Sequence, residues 1–498
     1  MPYALTPAQM REEERRAIEE IGLVGLLLME RAALAMAARL KERAVREVFL
    51  VCGPGNNGGD GLALARLLWL DGLRVSVRLL VPVESLKGDA RRNAEILKKL
   101  GISLENPWPE RPPEAVADAI LGTGLSRPPE GAISEAIERI NEYGQQGSFI
   151  LAVDIPSGVD GATGLAPGIA VRASETLSFG FLKAGHCFFP GRELSGRFSA
   201  VPIGLPRPAA EGGFLSVLDD AEAAALLPKR PHNSHKGLFG HGLLVAGSKG
   251  MAGAALLSAS AALAGGIGLL SCAADEENVL PVLQGGAPGA LALPLGAGED
   301  PSAAIRAATV GKSAAAIGPG LGNSALALGA LRALWAAPPP LLVDADGLNL
   351  LAANAGVFAP RGAETLLTPH PGEAKRLLGR EPGHPLEDAE ALSRKFGATV
   401  LLKGASSVVV SPDGRRAVNL SGSSALARGG SGDVLTGLLL ALLAQGMDAF
   451  DAARFGAFLH GRAAERLAGA GGGRAMAIAE LARCDFFAGL EEGDEKRP

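Results

Sequence analysis

Short apolar runs alternate with longer amphipathic stretches through most of the chain. Val48 to Cys52 is an unbroken apolar run of strand length, followed by glycines and then a helical pattern over 61–70. The same pairing recurs at 75–81 with 88–100. It recurs again at 117–121, where a Gly-Thr-Gly loop precedes a helix near 131–143 and a strand from Phe149 to Val153. Continuously apolar strands alternating with helices predict a parallel sheet covered on both faces. Ahead of this, Thr6-Pro7-Ala8-Gln9 reads as an N-cap, a first-turn proline and a capping-box glutamine. Ile21-Gly22 interrupts that charged helix, and Leu23 to Leu40 continues as a second, apolar one.

A Pro/Gly-rich stretch from Gly204 to Gly213 reads as a linker, with Asp219-Asp220 capping a short helix after it. The pattern then repeats with different loops. Leu243 to Ala246 leads into Gly247 to Gly253 and an alanine-rich helix. Later strands end at Gly318 to Gly322, Asp344-Ala345-Asp346, Thr368 to Glu373, Lys403-Gly404-Ala405 and Gly429 to Asp433. At 498 residues the chain is too long for one compact core. The expectation is therefore two α/β domains, 1–210 and 218–490, with the loops at the carboxyl ends of parallel strands carrying the chemistry.

Composition narrows the partners. A net charge of −5 with no Lys/Arg block disfavours nucleic acid and anionic membrane. No signal-peptide pattern opens the chain and no apolar run reaches membrane-spanning length, so a soluble cytoplasmic protein is expected. Cys52, Cys187, Cys272 and Cys484 are scattered, without a C-x-x-C, which suits free thiols in a reducing compartment.

The densest local signal is Gly53 to Gly61, a glycine-rich turn between a strand and a helix. Backbone N–H groups and the positive end of the helix dipole suit a phosphate there. The turn also carries Asn56, Asn57 and Asp60, and no carboxylate ends the following strand, unlike an ordinary dinucleotide fingerprint. Asp118 with Gly122 to Leu125, and Asp154 to Asp160, are two further loops that would converge with it. Asp154 ends a strand before a rigid proline turn; an acid/base group and a simple turn cap are equally good readings. Asn57, Asp118 and Ser157 offer oxygen ligands only, suited to a weakly held hard cation such as K⁺, though each taken singly is better read as a hydrogen-bonding loop residue. In the second half, Gly429-Gly430-Ser431-Gly432 builds an anion hole at a helix start, and Asp433 in its first turn reads as a base. Gly311-Lys312-Ser313 lacks the glycine of a P-loop, because Arg306 stands there. Asp344 and Asp346 read as turn caps, His370 as a substrate contact, and His460 as structural.

Together these loops resemble the family of bifunctional NAD(P)HX repair enzymes, over nearly the whole length. GPGNNGGDG, DAILGTGL and DIPSGVD are similar to the signature loops of the epimerase (YjeF N-terminal) domain. SHKGLFGHGLLVAG, GPGLG, DADGLN, TPHPGEA, LLKGAS and GGSGDVLTG are similar to those of the dehydratase. The resemblance implies a Rossmann-like three-layer parallel-sheet domain followed by a ribokinase-like α/β domain. It implies an isomerase that interconverts R and S hydrates of NADH and NADPH, and a lyase that dehydrates the S form at the expense of ADP or ATP. It places the hydrate on Asn56, Asn57, Gly58, Gly59, Asp60, Gly122, Thr123, Gly124, Leu125, Ser126, Arg127, Pro128 and Asp154, with K⁺ on Asn57, Asp118 and Ser157. In the dehydratase it places the hydrate on Ala254, Gly322, His370 and Asp433. The nucleotide, with Mg²⁺, falls on Lys403, Gly404, Ala405, Ser406, Ser407 and Gly432. Asp433 and Asp154 are the implied catalytic groups, and Glu373 a candidate to hold Mg²⁺ through water. Ser431 stands where the family usually has Thr, and 275–300 lacks an expected Pro-Glu element. A homo-oligomer is expected from the apolar N-terminal helices. The competing reading is a ribokinase-like kinase of a vitamin precursor or sugar with an N-terminal nucleotide-binding module.

Overall fold

The computed structural model describes residues 3–125, 127–208, 213–295, 301–469, 474 and 476–490. The chain divides into two compact units, the first running from Tyr3 to Leu215 and the second beginning at Ser216.

In the first unit, β1 (Tyr3–Leu5) runs parallel to β7 (Leu182–Lys183). The main sheet comprises β2 (Glu47–Cys52), β3 (Arg74–Leu79), β4 (Ala115–Ala119), β5 (Phe149–Val153), β6 (Glu175–Phe179) and β8 (Arg197–Val201). Its order is β3-β2-β4-β5-β6-β8, with every pair parallel. Alternate residues of β2 point to opposite faces: Val48, Leu50 and Cys52 join a core with helix Gly25–Glu42, while Phe49 and Val51 pack with helix Ala132–Gln145. The strand order reverses between β2 and β4. Such a switch point opens a crevice beyond the carboxyl ends of the strands. The loop after β2 and the loop after β4 meet there.

The Thr6 capping box forms as expected, with Thr6 accepting from Gln9 and Gln9 from the Thr6 backbone. The chain breaks at Ile21-Gly22, where Gly22 is left-handed at φ +87°, before helix Gly25–Glu42 begins. The glycine-rich turn is more helical than its composition suggests, because helix Asn56–Leu70 starts inside it.

In the second unit, β9 (Leu215–Val217) spans the division and Asp219 caps the short helix Asp220–Ala225. The sheet that follows contains β10 (His241–Val245), β11 (Leu269–Asp275), β12 (Ala290–Leu295), β13 (Ala314–Ile317), β14 (Leu341–Val343), β15 (Thr365–Leu367) and β16 (Thr399–Leu402). The antiparallel β17 (Ser407–Val410) and β18 (Arg416–Asn419) complete it. The order β12-β11-β10-β13-β14-β15-β16 is parallel and reverses between β10 and β13. Helices Ala252–Ala264 and Ser431–Ala444 pack so closely that a Cβ on Gly437 would lie 2.0 Å from the Ser258 carbonyl. Both units are α/β, as the alternation of apolar runs predicts.

Candidate functional sites

In the first unit the switch point holds a cavity of about 540 Å³, with Asn56, Asn57, Asp60, Gly122, Thr123, Gly124 and Asp154 on its wall. Asp154 ends β5 in the left-handed region at φ +69°, a conformation disfavoured for a residue with a side chain. Three contacts hold it there. Its Oδ1 accepts from Phe179 N (2.9 Å) and from the Lys183 ammonium, and its carbonyl oxygen is 3.0 Å from His186 Nε2. Lys183 is 1% exposed and also donates to Ser178 Oγ and to the carbonyls of Phe179 and Phe181. Burial pushes the His186 pKa down to about 4, so its ring is neutral. Burial, reinforced by Asp154 and Glu14, raises the Asp60 carboxyl well above the usual carboxylate range. The cavity thus gathers Glu14, Asp60 and Asp154 around Lys183.

Behind it lies an oxygen-rich knot. The Ser157 hydroxyl donates to Asp118 Oδ1 (2.5 Å), Ser157 N to Asp118 Oδ2 (2.8 Å), and Leu121 N to Ser157 Oγ (2.8 Å). Burial pushes the Asp118 pKa up to about 6 despite these bonds. Asn57 is buried, and neither its amide oxygen nor its amide nitrogen has a partner; the side chain abuts Gly122. Gly58 and Gly59 lie off the cavity wall, where Gly58 lets the turn close on the Gly53 carbonyl and Gly59 faces Met29 and Ala90. Leu125, Arg127 and Pro128 do not line the cavity, and Ser126 lies outside the described residues.

In the second unit the loops after β10, β13, β14, β15 and β16 and the start of helix Ser431–Ala444 carry the candidate residues. Asp344, read from the sequence as a turn cap, makes no capping hydrogen bond. It is 2% exposed, accepting from Lys403 Nζ (2.6 Å) on Oδ1 and Thr436 Oγ1 (2.6 Å) on Oδ2. The reason is tertiary: β14 and β16 are separated in sequence, and only the sheet brings Lys403 to it. Asp346 accepts from Gly322 N (2.8 Å). Asp433 has no side-chain hydrogen bond among the described residues, and burial together with Asp344 pushes its pKa up to about 6. Gly432 faces the Lys403 ammonium, 3.5 Å from where a Cβ would sit, and Ala254 packs against Gly320. His370 accepts from Gly372 N and lends its own N–H to Glu373, closing a capping box. Burial lowers the His370 pKa, assisted by Lys403 and Arg376, and raises that of Glu373 to about 7. His460 is buried with Nε2 unpartnered.

The chain matches known sequences along both units. Residues 25–185 match the family model of the YjeF-related protein N-terminus, and 242–484 that of NAD(P)H-hydrate dehydratase. The bifunctional NAD(P)H-hydrate repair enzyme Nnr of Thermofilum pendens is 39% identical over 475 residues, covering 91% of this chain and 89% of that protein. The Escherichia coli Nnr is 34% identical over 95% of this chain and 91% of its own length. The chain belongs to the bifunctional NAD(P)H-hydrate repair family. Among solved structures, the ADP/ATP-dependent NAD(P)H-hydrate dehydratase of Bacillus subtilis, co-crystallized with ATP/Mg²⁺, is 31% identical. That alignment covers 53% of this chain and 94% of that one, with a TM-score of 0.46.

Within the family framework, Lys183 and Asp344 are the residues that sequence reading missed. A lone lysine in Phe-Leu-Lys-Ala carries no motif, whereas Asp344 sat inside a recognised motif but was assigned to turn capping. The convergence of loops on each sheet edge was legible; the lysine partner of each carboxylate was not.

Proposed function

We propose that the first unit epimerises R and S hydrates of NADH and NADPH, and that the second dehydrates the S form using ADP or ATP. The observation that carries the reading is Asp433: a carboxylate at a helix start, without a hydrogen bond among the described residues, its pKa pushed up to about 6 by burial and Asp344. It is ionised at neutral pH, yet basic enough to take the proton of the C6 hydroxyl. That oxygen then attacks the terminal phosphoryl group, leaving AMP from ADP or ADP from ATP. Loss of phosphate from C6 and of a proton from C5 restores the dihydronicotinamide. Phosphoryl transfer needs alignment and charge neutralisation more than covalent help, which the Gly430 to Gly432 backbone and Lys403 would supply. Magnesium bound with the nucleotide supplies further charge neutralisation. Glu373 would hold it only through water, since its Oε2 already accepts from His370 N. Lys403 to Ser407 and Gly432 would face the nucleotide, and Ala254, Gly322 and His370 the hydrate.

In the first unit, Asp154 is the proposed proton-transfer group, with Asn56, Asp60 and Gly122 to Gly124 around the substrate. The orphaned Asn57 amide and the buried Asp118–Ser157 pair fit a hard monovalent cation, so these residues would hold K⁺ and let it offset the buried charge near bound phosphate. Potassium should raise the melting temperature of the wild type over tetramethylammonium at equal ionic strength, and do so less for Asp118→Asn. Equal melting in both salts would remove the cation from the reading. A cytoplasmic location accords with Cys52, Cys187, Cys272 and Cys484 being free thiols. No helix among the described residues is long and apolar enough to cross a membrane. A homo-oligomer accords with exposed Ile18, Ile21, Val24 and Leu27, and light scattering of the purified protein tests it.

The deciding experiment mixes R and S hydrates with Mg²⁺, K⁺ and either nucleotide, and follows dihydronicotinamide absorbance. Full recovery, consuming both isomers, is expected. No recovery with either nucleotide would overturn the dehydratase assignment and turn attention to small alcohols as kinase substrates.

A further inference from the structure

The cavity of the first unit is walled in part by the N-terminal helix Pro7–Arg15, which stands outside the main sheet. Arg11 and Glu14 line it, and Ile18 follows one turn later. Steps of three and four residues keep these side chains on one side of a helix, while Met10 and Ala17 beside them are buried in the core. The Thr6 capping box fixes where the helix begins. Just ahead of it, β1 is paired with β7, the strand that carries Lys183. Glu14 is thereby held at the same cavity as Asp154 and its lysine.

Glu12 pairs with Arg15 (2.7 Å) and Glu13 with Arg16 (2.7 Å). The Glu14 carboxylate has neither a hydrogen bond nor an ion pair among the described residues. The charged groups around it are Asp154, Lys183, Asp60 and Arg11, with Asp89 on the same cavity wall. Burial raises the Glu14 pKa, with Lys183 and Arg11 opposing and Asp154 reinforcing. Asp154 contrasts with it, because its Oδ1 accepts from the Lys183 ammonium and from Phe179 N, as a carboxylate does. Asp60 is also without a hydrogen bond, but it is raised well above the carboxylate range and so keeps its proton rather than cycling it. Inverting C6 of the hydrate by loss and return of water needs two groups. One gives a proton to the departing hydroxyl, and the other takes a proton from the incoming water.

We propose that Glu14 is the second acid–base group of the epimerase, giving its proton to the C6 hydroxyl of one isomer while Asp154 receives the proton of the water that returns. The C6–O bond breaks, water departs, and the N1 lone pair forms the N1=C6 bond. Water then adds to the other face, that pair returns to N1, and the surplus proton passes to Asp154. The opposite isomer runs the same steps with the roles exchanged, which returns the proton to Glu14.

The proposal rests on the epimerase reading, and the full-length protein without nucleotide tests it, the two hydrates being followed by chromatography. Glu14→Gln should slow R/S interconversion at least about 10²-fold with little change in the hydrate KM, whereas Glu12→Gln should change it by no more than about twofold. Denaturant unfolding of Glu14→Gln should match the wild type. Glu14→Asp keeps an acid and should recover part of the rate. Wild-type interconversion should fall as pH rises through the Glu14 pKa, and Glu14→Gln should lack that limb. In water labelled with heavy oxygen, each inversion should place a labelled hydroxyl on C6. Interconversion by Glu14→Gln within about threefold of the wild type overturns the assignment, as does an equal loss in Glu14→Asp. Inversion with the original oxygen retained overturns the step, and it does so in the wild type whatever the variants do. Each of these failures leaves the epimerase reading standing. A wild type that leaves the hydrates at their uncatalysed rate sinks that reading, and the assignment with it.

Discussion

Each unit places an aspartate at the carboxyl end of a parallel strand and a lysine within reach, but the pairs are used differently. In the first unit Lys183 bonds directly to Asp154, the group proposed to move protons. In the second, Lys403 is bonded to Asp344, and the Asp433 carboxylate has no hydrogen bond among the described residues. A clamped carboxylate is oriented by its partner, whereas the unclamped, buried Asp433 has its pKa raised to about 6. Phosphoryl transfer to an alcohol needs the second kind. Both sites also hold a non-glycine residue in the left-handed region, Asp154 at φ +69° and Ala345 at φ +47°. Local strain is kept where the surrounding loops over-determine the chain.

Replacing the unclamped carboxylate should have the largest effect. Asp433→Ala should lower dehydration by about 10²–10⁴ while leaving R/S interconversion intact, as followed by chromatography of the two hydrates. Loss of both activities would break the contrast between the units. Removing the clamp comes next. Lys183→Met leaves the Asp154 carboxylate facing an apolar replacement and should cost about 3–5 kcal/mol of stability in the first unit, read by denaturant unfolding. Lys183→Met combined with Asp154→Leu should recover part of that loss, and no recovery would mean that Lys183 acts by packing alone.

The smallest effect sharpens the comparison through pH. Asp433 must be ionised to act, so dehydration should rise with pH through about 6. Asp344→Asn removes a neighbouring negative charge and frees the Lys403 ammonium; both favour ionised Asp433, moving this limb to lower pH by about one unit. An unmoved limb would show that another group sets it. The linked stability has a definite sign. Asp433 binds its proton more tightly folded than unfolded, so its contribution to stability falls as pH rises from about 4 to about 6. Asp433→Asn should flatten that part of the pH–stability curve.

Much of this was legible in sequence because it is local. The strand-turn-helix alternation, the Thr6 capping box and the break at Gly22 depend on neighbouring residues and appear where the pattern places them, while the helix expected from Val434 already starts at Ser431. The helix beginning at Asn56, inside the glycines, was less legible: close approach of Gly58 to the Gly53 carbonyl lets the turn tighten, and only the folded sheet edge shows that contact. Asp344 shows the same limit. Its spacing from Asp346 suggests a turn, but its partners are Lys403 and Thr436, far along the chain.

The sequence by itself determined the α/β class, the loops that gather at the two switch points, and the carboxylates they carry. Apolar periodicity and turn chemistry act over a few residues, so they can be read in one dimension. Which cation meets which carboxylate, which glycine is packed and which faces a cavity, and the charge state that follows were decided only by tertiary structure. Those properties depend on burial and on partners brought together across the sheet, and neither has a local signature.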